Sequence, residues 1–283
     1  MIRRALLGVA LGAWALGCST PSALAPGLRG SVGVPHSGFL TGGKELPAEG
    51  KGYKWKSAAD HHWGLPRLVE LIEESAAKVS DERPGSKPLH VGELSARGGG
   101  ALMPKHRSHR TGRDVDLLFY LTTLEGVPAA NDGFVKIGPD GLGVSGAGRF
   151  VRFDVDRNWI LVRSMVASKK AHVQWIFISR VLEALLVERA IALGESPELV
   201  QRAQTVMQQP GDSLPHDDHI HLRVACEADE FVHGCEGGGP AWAWLPRPAR
   251  KVEASPRELL FALLGPSVAG EVAEPIATLE APE

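Results

Sequence analysis

Apolar and polar residues recur along this chain with two periods, and the changes of period mark its elements. Over 66–79, "PRLVELIEESAAKV" sets Leu68, Leu71, Ile72 and Ala76 on one helical face, with Pro66 in the first turn. Helical spacing returns over 157–168 and over 179–193, "SRVLEALLVERAIAL". Ser196 with Pro197 then opens a fourth helix, "PELVQRAQTVMQQ". Alternation or short apolar runs predict strands at 88–94, 114–120, 173–178 and 219–225. Residues 122–148 carry many glycines and read as a long loop or hairpin excursion. The glycine run 98–100 lacks the P-loop lysine and hydroxyl at their required spacing and reads as a flexible rim. Irregular alternation of strands and helices predicts an α+β domain, with a small, largely antiparallel sheet flanked by helices and long loops.

The two ends read differently. "MIRRALLGVALGAWALGCST" starts with Arg3 and Arg4 and stays apolar from Ala5 to Leu16. A bilayer span needs about twenty apolar residues, so this shorter run fits a secretory signal instead. Its end, "WALGC", resembles a bacterial lipobox, which would make Cys18 the lipidated first residue. Ala15 and Leu16 depart from the leucine and small residue that lipoboxes prefer. Residues 1–18 are therefore expected to be a signal peptide of lipoprotein type, and 19–33 a Pro-, Gly- and Ser-rich linker. Residues 34–245 are expected to fold, and 246–283 to form an extension. Within it, "SPRELLFALLG" at 255–265 has a capping-box start, Ser255 with Glu258, before a tail expected to be disordered.

Composition narrows the partners. The 283 residues carry 31 basic and 33 acidic side chains, a balance that argues for no nucleic-acid partner. Three cysteines leave one over: with Cys18 acylated, Cys226 and Cys235 remain, and an oxidising compartment would join them in a disulfide. Membrane attachment is expected only through the lipid anchor on Cys18.

Five of the eleven histidines lie in "HRSHRTGRDVDLL" (106–118) and "PHDDHIHLR" (215–223). On a strand, His219 and His221 share one face, and Asp114 and Asp116 share one face of theirs. If the two strands are neighbours, His221, Asp116 and His109 from the preceding loop can converge on one ion. Two imidazoles and a carboxylate leave a fourth position open, as a catalytic zinc site requires. His216 and His219 remain for proton transfer and for steadying an oxyanion. Asp114, Asp217 or Asp218 could orient the ligating imidazoles. His36, His61, His62, His90, His172 and His233 read as ordinary core or surface residues, Glu93 and Arg97 as cleft border, and Trp242 and Trp244 as packing.

The two histidine segments resemble the penicillin-insensitive murein endopeptidases, within the zinc fold shared by lysostaphin-type peptidases, D-Ala-D-Ala peptidases and hedgehog domains. The shared pattern is His, six residues, Asp, and later His-x-His, with extra histidines matched here by His106 and His216. Weaker similarity extends over about 190 residues, 34 to 235. The resemblance implies an antiparallel sheet bearing one Zn2+ per chain, held by His109, Asp116 and His221. It makes His219 and His216 the catalytic groups and His106 a rim residue or accessory ligand. Asp218 stands where D-Ala-D-Ala peptidases carry an acidic base. The implied reaction is hydrolysis of D-alanyl–diaminopimelate cross-links between peptidoglycan stem peptides in the periplasm, from an outer-membrane anchor if Cys18 is acylated. Members of that family can hold further metal ligands, an Asp and a His, in mid-chain; no histidine lies between His109 and His172 here, so a second metal site of that kind is not expected. Two other readings stand beside it. One is a zinc-containing lipoprotein that binds cell-wall peptides without cutting them. The other is a metal phosphoesterase, for which the bridging carboxylates are too few.

Overall fold

A computed structural model describes residues 29–100, 107–237, 239–240 and 242–245. Cys18, His106, the expected signal peptide and the helix expected at 255–265 lie outside the described residues. Seven strands make the main sheet: β1 (Glu49–Gly50), β2 (Tyr53–Trp55), β3 (Leu89–Val91), β4 (Asp114–Leu118), β5 (Val173–Phe177), β6 (Met207–Gln208) and β7 (His219–Val224). Their spatial order is β6-β5-β7-β4-β3-β2-β1. Only β2–β3 and β5–β6 pair in parallel, so the sheet is largely antiparallel as its alternation implies.

One face of the sheet is core. Val115, Leu117, Ile220 and Leu222 are sealed from solvent in one apolar cluster with Leu68 and Ile72 of α1 (Pro66–Glu82) and Trp159 and Val162 of α2 (Val155–Ala167). Truncating any of these to alanine removes packing worth about 2–5 kcal/mol. Two further helices, α3 (Arg180–Ala192) and α4 (Pro197–Val206), lead from β5 to β6. The fourth helix stops short of its predicted end because Met207 and Gln208 pair with Ile176 and Phe177 as an edge strand.

Three local departures have physical causes. The strand expected over 88–94 narrows to three residues because Gly92 and Glu93 both face Asp116. Gly92 N–H donates to the Asp116 carbonyl at 2.8 Å, and Asp116 N–H to the Glu93 carbonyl at 3.0 Å. Two residues against one is a bulge, which re-aims the following side chains. The 122–148 excursion is a hairpin system: Leu121–Thr122, Pro128–Ala129, Leu142–Val144 and Phe150–Phe153 form a separate four-stranded sheet. Finally, Gly30–Val34 pairs with Ser37–Thr41, so a hairpin begins within the stretch expected to be linker. Its glycines read as flexibility, but Gly33 is held at φ 81 where an added Cβ would meet the Ser37 carbonyl at 2.5 Å.

Asn158 of α2 ties helix to sheet just beyond β4. Its Oδ1 accepts from Tyr120 N–H at 3.1 Å, while Nδ2 donates to the carbonyls of Tyr120 and Asp154, each at 2.8 Å. Asn158→Ala leaves buried backbone groups without partners, each costing about 1–3 kcal/mol. Urea unfolding should therefore show a loss of about 2–4 kcal/mol; a change under about 0.5 kcal/mol, the size of an ordinary surface substitution, would rule this anchor out.

Candidate functional site

The β4–β7 register sets Asp116 opposite His221 and Asp114 opposite Arg223, which puts all four side chains on the face away from the apolar core. Phe177 of β5 lies opposite His221 on the same face, 5.3 Å between ring centroids. His109 comes from the loop before β4. Its backbone adopts φ 65, the one positive value outside glycine among the described residues, a conformation that costs a β-carbon residue energy and recurs at functional sites. Gly112 follows at φ 75, where a Cβ would strike the Leu40 side chain at 2.6 Å. The loop thus needs glycine there to bring His109 back over the sheet.

Three imidazoles converge on Oδ1 of Asp116. His221 Nδ1 lies 3.1 Å from it, His109 Nε2 3.3 Å and His219 Nε2 3.4 Å. His109, Asp116 and His221 are all buried, and their nearest ligand atoms lie within 4.8 Å of one another. A second group, His216, His219 and His221, meets the same distance limit. The acidic neighbours fix two of the rings. Asp114 Oδ1 accepts hydrogen bonds from His221 Nε2 at 3.0 Å and Arg223 Nε at 2.6 Å, and Asp218 Oδ1 accepts one from His219 Nδ1 at 2.5 Å. Of the three acidic partners anticipated, Asp114 and Asp218 touch imidazoles; Asp217 instead offers its carbonyl to Ile137 N–H at 2.7 Å.

This donor set fits a divalent ion. With its Nε2 proton committed to Asp114, a neutral His221 turns the Nδ1 lone pair toward the carboxylate oxygen. Two acceptors then face each other at hydrogen-bonding distance, and a cation between them reconciles the contact. Two imidazole nitrogens and one carboxylate oxygen are a set that zinc accepts with a position to spare.

Electrostatics separate the neighbouring groups. Burial would push the Asp116 carboxyl up, but His109 and His219 hold it well below the usual carboxylate range. Asp114 behaves alike: burial opposes its charge, and Arg223 with His221 outweighs burial. Burial would also push His219 down, yet Asp116 and Asp218 lift it to about 10. His216 has no such partner. Burial, and then the neighbouring His221 and His219 rings, bring it down to about 4. Its Nδ1 is buried without a hydrogen-bond partner among the described residues.

Several side chains at the site carry no legible sequence signal. Phe134 leans on His219 with 5.2 Å between centroids while its neighbour Val135 enters the core. Arg223 supports Asp114 and stacks over Phe177 at 5.5 Å. Arg223 is placed by strand pairing and Phe134 by a loop held through Ile137 N–H on the Asp217 carbonyl, neither of which a motif contains. Glu93 is buried and accepts from His61 N–H at 2.8 Å, and burial raises its carboxyl. Arg97 is exposed and lies over Trp63. Trp242 and Trp244 stack together and pack against the core, away from the histidines. Cys226 and Cys235 are bonded to each other just past β7, and the buried Arg113 reaches Cys226 Sγ at 3.2 Å.

The family model for penicillin-insensitive murein endopeptidases matches residues 31–241. The chain belongs to that family. A Haemophilus influenzae relative named penicillin-insensitive murein endopeptidase is 23% identical over 220 residues, covering 76% of this chain and 69% of the relative. Proteins of the same name from Escherichia coli K12 and Shigella boydii are each 24% identical over 235 residues, 79% of this chain and 80% of theirs. The family match spans both histidine segments.

The opposed shifts give a direct readout. In metal-free protein, histidine NMR titration should find the His216 ring neutral down to about pH 4 and the His219 ring protonated up to about pH 10. In sign, His219 adds stability that is complete below its unfolded value and is lost as pH rises through about 10. His216 acts oppositely, costing stability as pH falls below its unfolded value. Coincident titration of the two rings near pH 6.5 would contradict this account.

Proposed function

We propose that this protein is a zinc-dependent endopeptidase that hydrolyses peptide cross-links of bacterial peptidoglycan, of the D-alanyl–diaminopimelate type. The observation that carries the reading is the convergence of His109, Asp116 and His221 on one buried point beside two further imidazoles, in a chain of the murein endopeptidase family. His109, Asp116 and His221 hold the ion, and Asp114 fixes the tautomer and direction of His221. When bound, zinc supplies Lewis-acid polarisation of the scissile carbonyl and brings the pKa of a water toward about 7.

The remaining steps belong to side chains. Asp218 keeps the Nδ1 proton on His219, leaving Nε2 turned toward the reacting atoms. Asp116 and Asp218 together lift His219 too high for a base; with the Asp116 charge shared by a cation the larger part of that lift falls, and Nε2 can accept a proton. As the water oxygen bonds to the carbonyl carbon, His219 takes its proton. As the C–N bond breaks, His219 returns that proton to the departing amine. His216, kept neutral by burial, donates a hydrogen bond to the oxygen on which negative charge develops.

The rest of the chain is read in keeping with this substrate. Residues 1–18 direct export, Cys18 anchors the protein to the outer membrane, and residues 34–245 act on stem peptides in the periplasm. The 246–283 extension lies beyond the catalytic unit. No helix among the described residues is long and apolar enough to cross a membrane.

Digestion of purified cross-linked peptidoglycan, with muropeptides separated and weighed by mass, tests the reading. Wild-type protein should convert cross-linked dimers to monomers, and a chelator should stop it. His219→Ala should slow cleavage by about 10²–10⁴-fold, the usual contribution of a general acid–base. Dimers that persist with one zinc bound would instead favour a cell-wall peptide-binding protein. Asp114→Ala, which removes the carboxylate behind His221 and with it the partner of Arg223, should weaken zinc affinity about 10–100-fold in competition with a chromophoric chelator. An unchanged affinity would remove Asp114 from its assigned role.

A further inference from the structure

His219 is equipped as a ligand. Its distal nitrogen is backed by Asp218 at 2.5 Å, as that of His221 is backed by Asp114 at 3.0 Å. A carboxylate behind an imidazole fixes the tautomer and raises the basicity of the other nitrogen, the arrangement found behind metal-bound histidines. His216 stands beside it with 5.3 Å between ring centroids, and a buried ring nitrogen, Nδ1, without a hydrogen-bond partner among the described residues. Its backbone is pinned on both sides. His216 N–H donates to Gln209 Oε1 at 2.8 Å, and its carbonyl accepts from Ser179 N–H at 2.8 Å. The imidazole therefore stays at the site without a bond of its own to hold it.

The ligand atoms of His216, His219 and His221 lie within 4.8 Å of one another, as do those of His109, Asp116 and His221, and the two groups share His221. One nitrogen lone pair serves one ion. An ion held with Asp116 and His109 uses that lone pair, leaving His216 and His219 as a two-imidazole seat next to it. We propose that these two histidines form a second, weaker divalent-cation position overlapping the proton-transfer groups. Its occupation by zinc beyond one equivalent blocks hydrolysis. The affinity order follows from the donors, since the first position has three protein ligands including a carboxylate and the second has two neutral imidazoles. The inhibitory consequence rests on the peptidase reading above, whereas the binding claim rests on the histidines alone.

Metal-free full-chain protein titrated with zinc in a calorimeter, and with cobalt(II) by visible absorption, should show one tight equivalent followed by a weaker one. His216→Ala should abolish the second event and keep the first, and His216→Gln serves as the check if the alanine variant folds poorly. Asp116→Ala should weaken the tight event. Cleavage of cross-linked peptidoglycan by wild-type protein should rise to one equivalent of zinc and fall beyond it. A single binding event, or a second event that survives both His216 variants and His219→Ala, overturns the proposal. Two-step binding lost in the His216 variants, with no cleavage at any zinc level, supports the second position and instead defeats the peptidase reading.

Discussion

The structure turns on one oxygen atom, Oδ1 of Asp116, around which three imidazole nitrogens gather in a buried space. A charged carboxylate taken from water is costly unless it is paired. Every element near it is arranged to provide that pairing. The β4–β7 register does most of this, because slipping it by one residue would exchange Asp116 and His221 for Val115 and Leu222. The bulge at Gly92–Glu93 holds the Asp116 backbone from the other side, through its N–H and its carbonyl. The left-handed backbone at His109 brings in the third side from a loop. Strain at His109 is tolerated because both flanks are fixed: its N–H lies 3.4 Å from Asp114 Oδ2, and Gly112 takes up the next sharp bend.

Two carboxylates two residues apart on one strand face have been given different work. Asp114 is fully buried and spends its charge on Arg223 and His221, so it orients a ring and contributes no lone pair to the site's centre. Asp116, among the described residues, faces the imidazoles of His109, His219 and His221. Such buried charge contributes little net stability, since desolvation cancels most of the attraction. What it supplies is direction. The apolar face of the same strands, with α1 and α2 behind it, carries the stability that this arrangement lacks.

Much of this was legible in the sequence because the relevant periods are short. Alternation in "DVDLL" and "HIHLR" assigns each residue to a face, and the helical spacing of Leu68, Leu71, Ile72 and Ala76 identifies the buried side of α1. The disulfide partners were the only pair left once Cys18 was set aside, and they are joined. Other features depend on distant partners and leave no local mark. Phe177 sits beside His221 only because β5 pairs with β7, and Phe134 reaches His219 only because its loop is anchored by Ile137 N–H on the Asp217 carbonyl. Glycines misled in one place: the same residues that suggest a linker at 30–33 are the ones a tight hairpin requires.

His216 and His219 show why residue type alone does not assign a role here. They are three positions apart, close enough for their rings to touch, yet they are driven in opposite directions. The difference is a carboxylate: His219 lies between Asp116 and Asp218, whereas His216 faces the rings of His219, His221 and Phe177. A carboxylate-backed imidazole is a good proton acceptor and a good metal ligand for one and the same reason, its raised basicity. A site built from such groups must therefore separate the two uses by position. His221, the more deeply buried ring, meets Asp116 from the neighbouring strand, and His219 lies at the more exposed end of β7.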